Sequence, residues 1–139
     1  RLFYDYVKFI IGRTNRYTGK KYTEDPAIMS WQIGNEPRAF SEAALPGFEK
    51  WLSEASALIR RLDHHHLISI GSEGAWGCEG SYDVYERICS DKNVDYCNVH
   101  LWPYNWGWAS KDKLDEDLNK SCANTKEYID KLKEDIFFF

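Results

Sequence analysis

Residues 31–38 read Trp-Gln-Ile-Gly-Asn-Glu-Pro-Arg, a run that carries an apolar stretch straight into an amide, a carboxyl group, a proline and a guanidinium. Pro37 has no backbone donor to give to a sheet, so a strand over residues 27–34 is expected to end at Asn35 or Glu36. Glu36 then stands at a strand's C-terminal tip as a carboxyl group able to exchange a proton. In a (β/α) barrel, active sites are built on that face, from strand ends and the loops after them.

Other side chains fit chemistry at the same face. His100 closes a predicted strand over 94–101, and Trp102, Tyr104, Trp106 and Trp108 follow it closely, with Trp76 beside a glycine-rich turn. Aromatic residues make up 16% of the chain, six of them tryptophan, and such flat apolar surfaces suit the CH faces of sugar rings. Glu73 closes another short strand in the context Gly71-Ser72-Glu73-Gly74, where a sugar contact and a structural hydrogen bond are equally open. His64-His65-His66 carries no metal expectation, because three consecutive residues on a turn point in different directions. No metal and no cofactor is expected.

The positioning elements follow from periodicity. Apolar residues at 2, 3, 6, 7, 9 and 10 predict a helix stopped at Gly12, and residues 13–26 a polar loop. Pro46 opens a helix whose stripe is Phe48, Trp51, Leu52, Ala55, Leu58, Ile59 and Leu62. Residues 67–71 predict a second strand, 74–80 a loop, 82–89 a short helix, 94–101 the third strand, and 114–133 a helix with a break near Ser121. Asp112, Asp115, Glu116 and Asp117 suit the start of that helix and need no ligand. Strand then helix, repeated at roughly 30-residue intervals, is the grammar of a parallel α/β sheet.

Asn-Glu-Pro alone is a weak signal. It is preceded by Arg13-Thr14-Asn15-Arg16-Tyr17-Thr18-Gly19-Lys20-Lys21-Tyr22 and Asp25-Pro26-Ala27-Ile28, and followed in order by Gly71-Ser72-Glu73-Gly74 and His100-Leu101-Trp102-Pro103-Tyr104-Asn105-Trp106-Gly107-Trp108. Together, from residue 9 to residue 132, these resemble the endo-β-1,4-mannanases of glycoside hydrolase family 5. The resemblance implies a partial (β/α)8 TIM barrel, roughly strands four to six, with residues 1–139 the central part of a single catalytic domain. It also implies roles: Glu36 as general acid/base, Asn35 as partner of the 2-hydroxyl at the cleaved linkage, and His100 shaping the site beside the acid. Arg38, Glu73, Trp102, Tyr104, Trp106 and Trp108 are the expected substrate-binding residues. Family 5 enzymes retain anomeric configuration, and their nucleophile ends the seventh strand, which is expected to lie beyond this chain. Many relatives carry a tyrosine two residues after the histidine; this chain has Trp102 there, which has no hydroxyl, and Tyr104 is the stand-in on offer.

A barrel needs about 250 residues, and 139 supply roughly half of one. The chain begins at Arg1, its single methionine is Met29, and it ends Ile136-Phe137-Phe138-Phe139, so a fragment is expected. A net charge of −4 argues against nucleic-acid or membrane-surface partners and fits a neutral polymer. No apolar stretch of about 18 residues occurs. The expected partner is a β-mannan polysaccharide or oligosaccharide, the expected state a monomer when complete, and the expected location secreted or cell-envelope, with any leader before Arg1. Cys78, Cys89, Cys97 and Cys122 allow three pairings; disulfides and buried free thiols are both open. Asn119-Lys120-Ser121 fits the N-glycosylation pattern without deciding anything. Two alternatives remain: a family 5 β-glucanase or cellulase fragment, favoured less by the Arg38 context, and a non-catalytic carbohydrate-binding or inactive remnant.

Overall fold

The computed structural model describes residues 1–136, with side chains through Lys133. The first helix, α1, spans Leu2–Ile11 and turns Val7 and Ile11 into the core. A loop with a short 3-10 helix at Tyr22–Glu24 leads to β1, Ser30–Gln32. A second 3-10 turn, Glu42–Ala44, runs into α2, Leu45–Leu62, with Pro46 in its first turn. Proline is tolerated there because that N–H has no partner within the helix. The buried stripe of α2, including Phe48, Leu52, Ala55 and Ile59, follows the helical period and packs on the next strand, β2, Leu67–Ser69. Gly74–Cys78 then forms a third 3-10 helix, followed by α3, Tyr82–Cys89, capped by the Ser81 hydroxyl accepting from the Val84 N–H, and α4, Leu114–Ile136.

Strands β1 and β2 are parallel, with Trp31 opposite Ile68. Pairing outlasts the regular strands: Ile33 N–H donates to Ser69 O, Gly34 N–H to Ile70 O and Glu36 N–H to Gly71 O. Ile68 and Ile70 are essentially fully buried, and each such side chain contributes roughly 1.5 to 3 kcal/mol through removal from water.

The expected third strand, 94–101, forms no regular strand. It is an extended segment beside β2, tied by Asp95 N–H to Ile68 O and His100 N–H to Ser72 O. The physical reason is that side chains take the intervening donors: Asp95 Oδ2 accepts the Ile68 N–H at 2.7 Å, and Asn98 Oδ1 the Gly71 N–H at 2.9 Å. Two further corrections concern the helices. The expected 74–80 loop is largely helical, and α4 is not broken at Ser121, whose hydroxyl donates to Trp108 O and draws the aromatic loop onto the helix. One disulfide, Cys89–Cys97, joins the end of α3 to the extended segment; Cys78 is a buried thiol pushed up to about 12 by its burial, and Cys122 is exposed.

The turn after α2 is organised by Asp63. Its Oδ2 accepts the Trp31 indole N–H at 2.7 Å and pairs with His66 Nδ1 at 2.6 Å, while Oδ1 accepts the N–H groups of His65 and His66. Asp63 thus fixes the His66 ring and the backbone of His65 and His66. Among the described residues, no group of three or more His, Cys, Asp or Glu side chains could hold a metal ion, and no helix is long and apolar enough to cross a membrane. Burial would raise the Asp63 pKa, but the hydrogen bonds from Trp31, His66 and the two backbone N–H groups outweigh it and bring it from 3.8 to about 2. A depressed folded-state pKa contributes stability above the unfolded value. Asp63 therefore stabilises the fold above pH 3.8, and the contribution fades as the pH falls toward about 2. Asp63→Ala should cost on the order of 3 kcal/mol at neutral pH by stranding buried donors, and chemical denaturation across an acid series should show the mutant's deficit shrinking below pH 4; a deficit constant through that range would refute the assignment.

Candidate active site

The site forms where β1, β2 and the extended segment end together. Glu36 sits in the left-handed region, φ 52°, a conformation that costs a non-glycine residue about 1 kcal/mol. Its N–H is held by Gly71 O at 2.8 Å. Gly71 itself has φ +82°, and a Cβ there would lie 1.9 Å from Gly34 O. Only glycine fits between the two strand ends, so the closeness of the backbones fixes where Glu36 emerges.

Two donors converge on one carboxylate oxygen. Trp102 Nε1–H lies 2.5 Å and His100 Nδ1 2.9 Å from Glu36 Oε1, and among the described residues no hydrogen bond forms at Oε2. The Trp102 bond first, then the His100 bond, holds the Glu36 carboxyl below the usual glutamate range, with the positive charge of Arg38 adding to the effect. Trp102 therefore touches the carboxyl group directly as well as offering its ring face.

Arg38 reaches the other way. Its Nε and Nη2 donate to the two carboxylate oxygens of Glu73, at 2.5 and 2.7 Å. Glu73 is 1% exposed while the Arg38 side chain is 39% exposed, so the carboxylate is an internal anchor for a guanidinium whose other edge meets solvent. The bond from Glu73 raises the Arg38 pKa. Tyr128, from α4, donates its hydroxyl to Glu73 O at 2.7 Å and accepts the Trp76 N–H at 3.2 Å. Burial raises the Tyr128 pKa, which keeps that hydroxyl a donor.

A cavity of about 580 Å³ is lined by Glu36, Arg38, Glu73, Trp76, Trp102, Asn105 and Trp106. A larger one, about 650 Å³, shares Arg38 and Trp76 and includes Trp108 and Tyr128. Trp76 stacks on Trp106 with centroids 5.1 Å apart, and Trp106 meets Trp108 and Tyr128 edge-on. Of the expected aromatic residues, Trp102 and Trp106 face the Glu36 cavity, Trp108 lines the neighbouring one, and Tyr104, 61% exposed, lines neither. Asn35 is exposed beside Glu36 without lining the cavity.

The residue that sequence reasoning missed is Asn98, whose amide bridges Gly71 N–H and His100 Nε2. Its signal was spacing: on an extended segment, positions 98, 100 and 102 share a face. Tyr128 carried no signal beyond its place in the expected helix over 114–133.

The family model described as GH family 5 beta-mannosidase-like matches residues 1–135. Mannan endo-1,4-beta-mannosidase 2 of Arabidopsis thaliana is 31% identical over 155 aligned residues, which take in 99% of this chain and 36% of that protein. The crystal structure of a glycoside hydrolase family 5 mannosidase from Rhizomucor miehei matches with a TM-score of 0.76 at 31% identity, over 97% of this chain and 30% of that one. The endo-beta-1,4-mannanase of Thermotoga petrophila matches with a TM-score of 0.73 at 29% identity, over 95% and 31%. The chain thus spans about a third of the length of these relatives.

Replacing Trp102 by Phe keeps an aromatic face but removes the N–H donor, so the charged form of Glu36 loses its strongest support and its pKa must rise. A carboxyl-carbon NMR titration should show the Glu36 midpoint moving upward; an unmoved midpoint would show that the indole is not its partner in solution.

Proposed function

The chain belongs to the β-mannosidase-like group of glycoside hydrolase family 5, and from that membership we propose that it supplies the acid/base half of a retaining endo-β-1,4-mannanase site. The observation that carries this reading is Glu36 at a strand tip, gripped by His100 and Trp102 and opening onto a cavity walled by tryptophan and arginine. In the first step Glu36 gives its proton to the leaving glycosidic oxygen as a second carboxylate attacks the anomeric carbon. In the second, Glu36 takes a proton from water as that water releases the sugar from the glycosyl-enzyme.

We place the second carboxylate outside these 139 residues, because Glu73 is buried with both oxygens committed to Arg38. A nucleophile about 5 to 5.5 Å from the acid would raise the Glu36 pKa, against the lowering by Trp102 and His100 seen here. Loss of the nucleophile's charge on glycosylation lets that lowering return, which suits Glu36 to act as base in the second step. Asn35 is placed against the 2-hydroxyl, and Arg38, Trp76, Trp102 and Trp106 against the sugar rings of β-mannan.

The parallel pair and the extended segment are read as strands four to six of a (β/α)8 barrel. Support comes from exposed Leu2, Phe9 and Met29, apolar surface of the kind further barrel elements cover. The Cys89–Cys97 disulfide supports secretion into an oxidising compartment.

In the complete enzyme, Glu36→Gln keeps size but cannot deliver a proton, so mannan turnover should fall by about 10² to 10⁴. An activated aryl mannoside should still form the glycosyl-enzyme, which accumulates until azide, needing no base, releases it. Wild-type mannan hydrolysis by Glu36→Gln would remove Glu36 from the mechanism.

A further inference from the structure

We propose that Asn98 is a positioning residue that fixes the tautomer of His100 and thereby dictates which oxygen of Glu36 carries the transferable proton. The Asn98 amide is oriented by its surroundings. Its Oδ1 accepts the Gly71 N–H at 2.9 Å, and its backbone carbonyl accepts the Tyr85 hydroxyl at 2.9 Å. With the amide oxygen committed to Gly71, the NH₂ group is what faces His100 Nε2, 3.1 Å away. An amide NH₂ only donates, so Nε2 must be bare and accept.

In a neutral imidazole the remaining proton then resides on Nδ1, the nitrogen 2.9 Å from Glu36 Oε1. Nδ1–H donates to Oε1, where the Trp102 N–H also donates. Two N–H groups pointing at Oε1 leave no place for a proton on it, so the proton that Glu36 delivers rides on Oε2. In the opposite tautomer, a bare Nδ1 would instead draw that proton onto Oε1, into a bond with the ring and away from the sugar. The tautomer stands on geometry alone; its catalytic consequence rests on the reading of Glu36 as acid/base.

The experiment uses the full-length protein that carries this segment, labelled at histidine, with nitrogen NMR at neutral pH reporting which ring nitrogen bears the proton. Wild type should show His100 protonated at Nδ1 and bare at Nε2; the reverse pattern overturns the proposal. Asn98→Asp keeps an acceptor for Gly71 but presents a carboxylate oxygen to Nε2, so Nε2 should gain a proton and kcat on soluble mannan should fall at least about tenfold with KM little changed. Should that variant lose its near-ultraviolet circular dichroism, Asn98→Ser replaces it: the shorter hydroxyl cannot span Gly71 and His100 together, and a mixed tautomer is expected. An unchanged Nδ1–H tautomer in either folded variant overturns the role of Asn98. A wild type with the expected tautomer but no hydrolysis of mannan supports the hold of Asn98 on His100 and overturns the mannanase reading, so the two failures are told apart.

Discussion

Gly71 is the point on which the site depends, because two strand ends approach there more closely than any side chain permits. A Cβ would sit 1.9 Å from Gly34 O, and the space kept free lets the Gly71 carbonyl take the Glu36 N–H while the Gly71 N–H goes to Asn98. One residue therefore sets the height of the acidic side chain on one side and the orientation of the amide on the other. The alternation of strand and helix brings the elements near each other; this contact converts nearness into register.

Rigidity at the third position of the sheet comes from side chains more than from a ladder. Asp95, paired with Arg60, caps the Ile68 N–H; Asn98 caps the Gly71 N–H; the disulfide at Cys97 and the hydroxyl of Tyr85 hold the segment from the α3 side. The Asp95 and Asn98 side chains replace backbone partners that a regular strand would have supplied, so the segment keeps its extended shape while its alternate residues, 98, 100 and 102, stay aimed along one face. Arg38 and Glu73 follow the same logic. A buried carboxylate with both oxygens engaged fixes a guanidinium at the wall of the cavity.

Much of this was legible in the sequence. The helical periods of residues 2–11 and 45–62 gave helices at those places, whereas the first strand, expected over 27–34, is regular only at Ser30–Gln32, its backbone pairing carrying on to Glu36 just before Pro37. Glu36 and His100 were recognisable from their places at predicted strand ends, and the structure brings them into contact. What hydrophobic pattern could not carry was long-range polar pairing. Nothing local in Asp95 or Asn98 says that its side chain will replace a ladder bond, so a strand was expected over 94–101 where an extended segment forms. Nor does a tryptophan announce which end it will use: Trp102 reads as a stacking surface, yet its N–H is bound to the carboxyl group.

That last bond bears on how the acid is held. A hydroxyl at position 102 could both donate and accept, whereas an indole only donates. With His100 Nδ1–H the second donor, Glu36 Oε1 is surrounded by groups that can stabilise negative charge and cannot take a proton away. Such a clamp favours the carboxylate and lowers its pKa, and it leaves Oε2 as the oxygen at which protonation costs least. The left-handed backbone at Glu36, φ 52°, is sustained by the Gly71 carbonyl and aims the side chain into this clamp. Local backbone strain, one glycine and two N–H donors thus act on a single carboxyl group, and the direction of proton delivery follows from which of its oxygens they occupy.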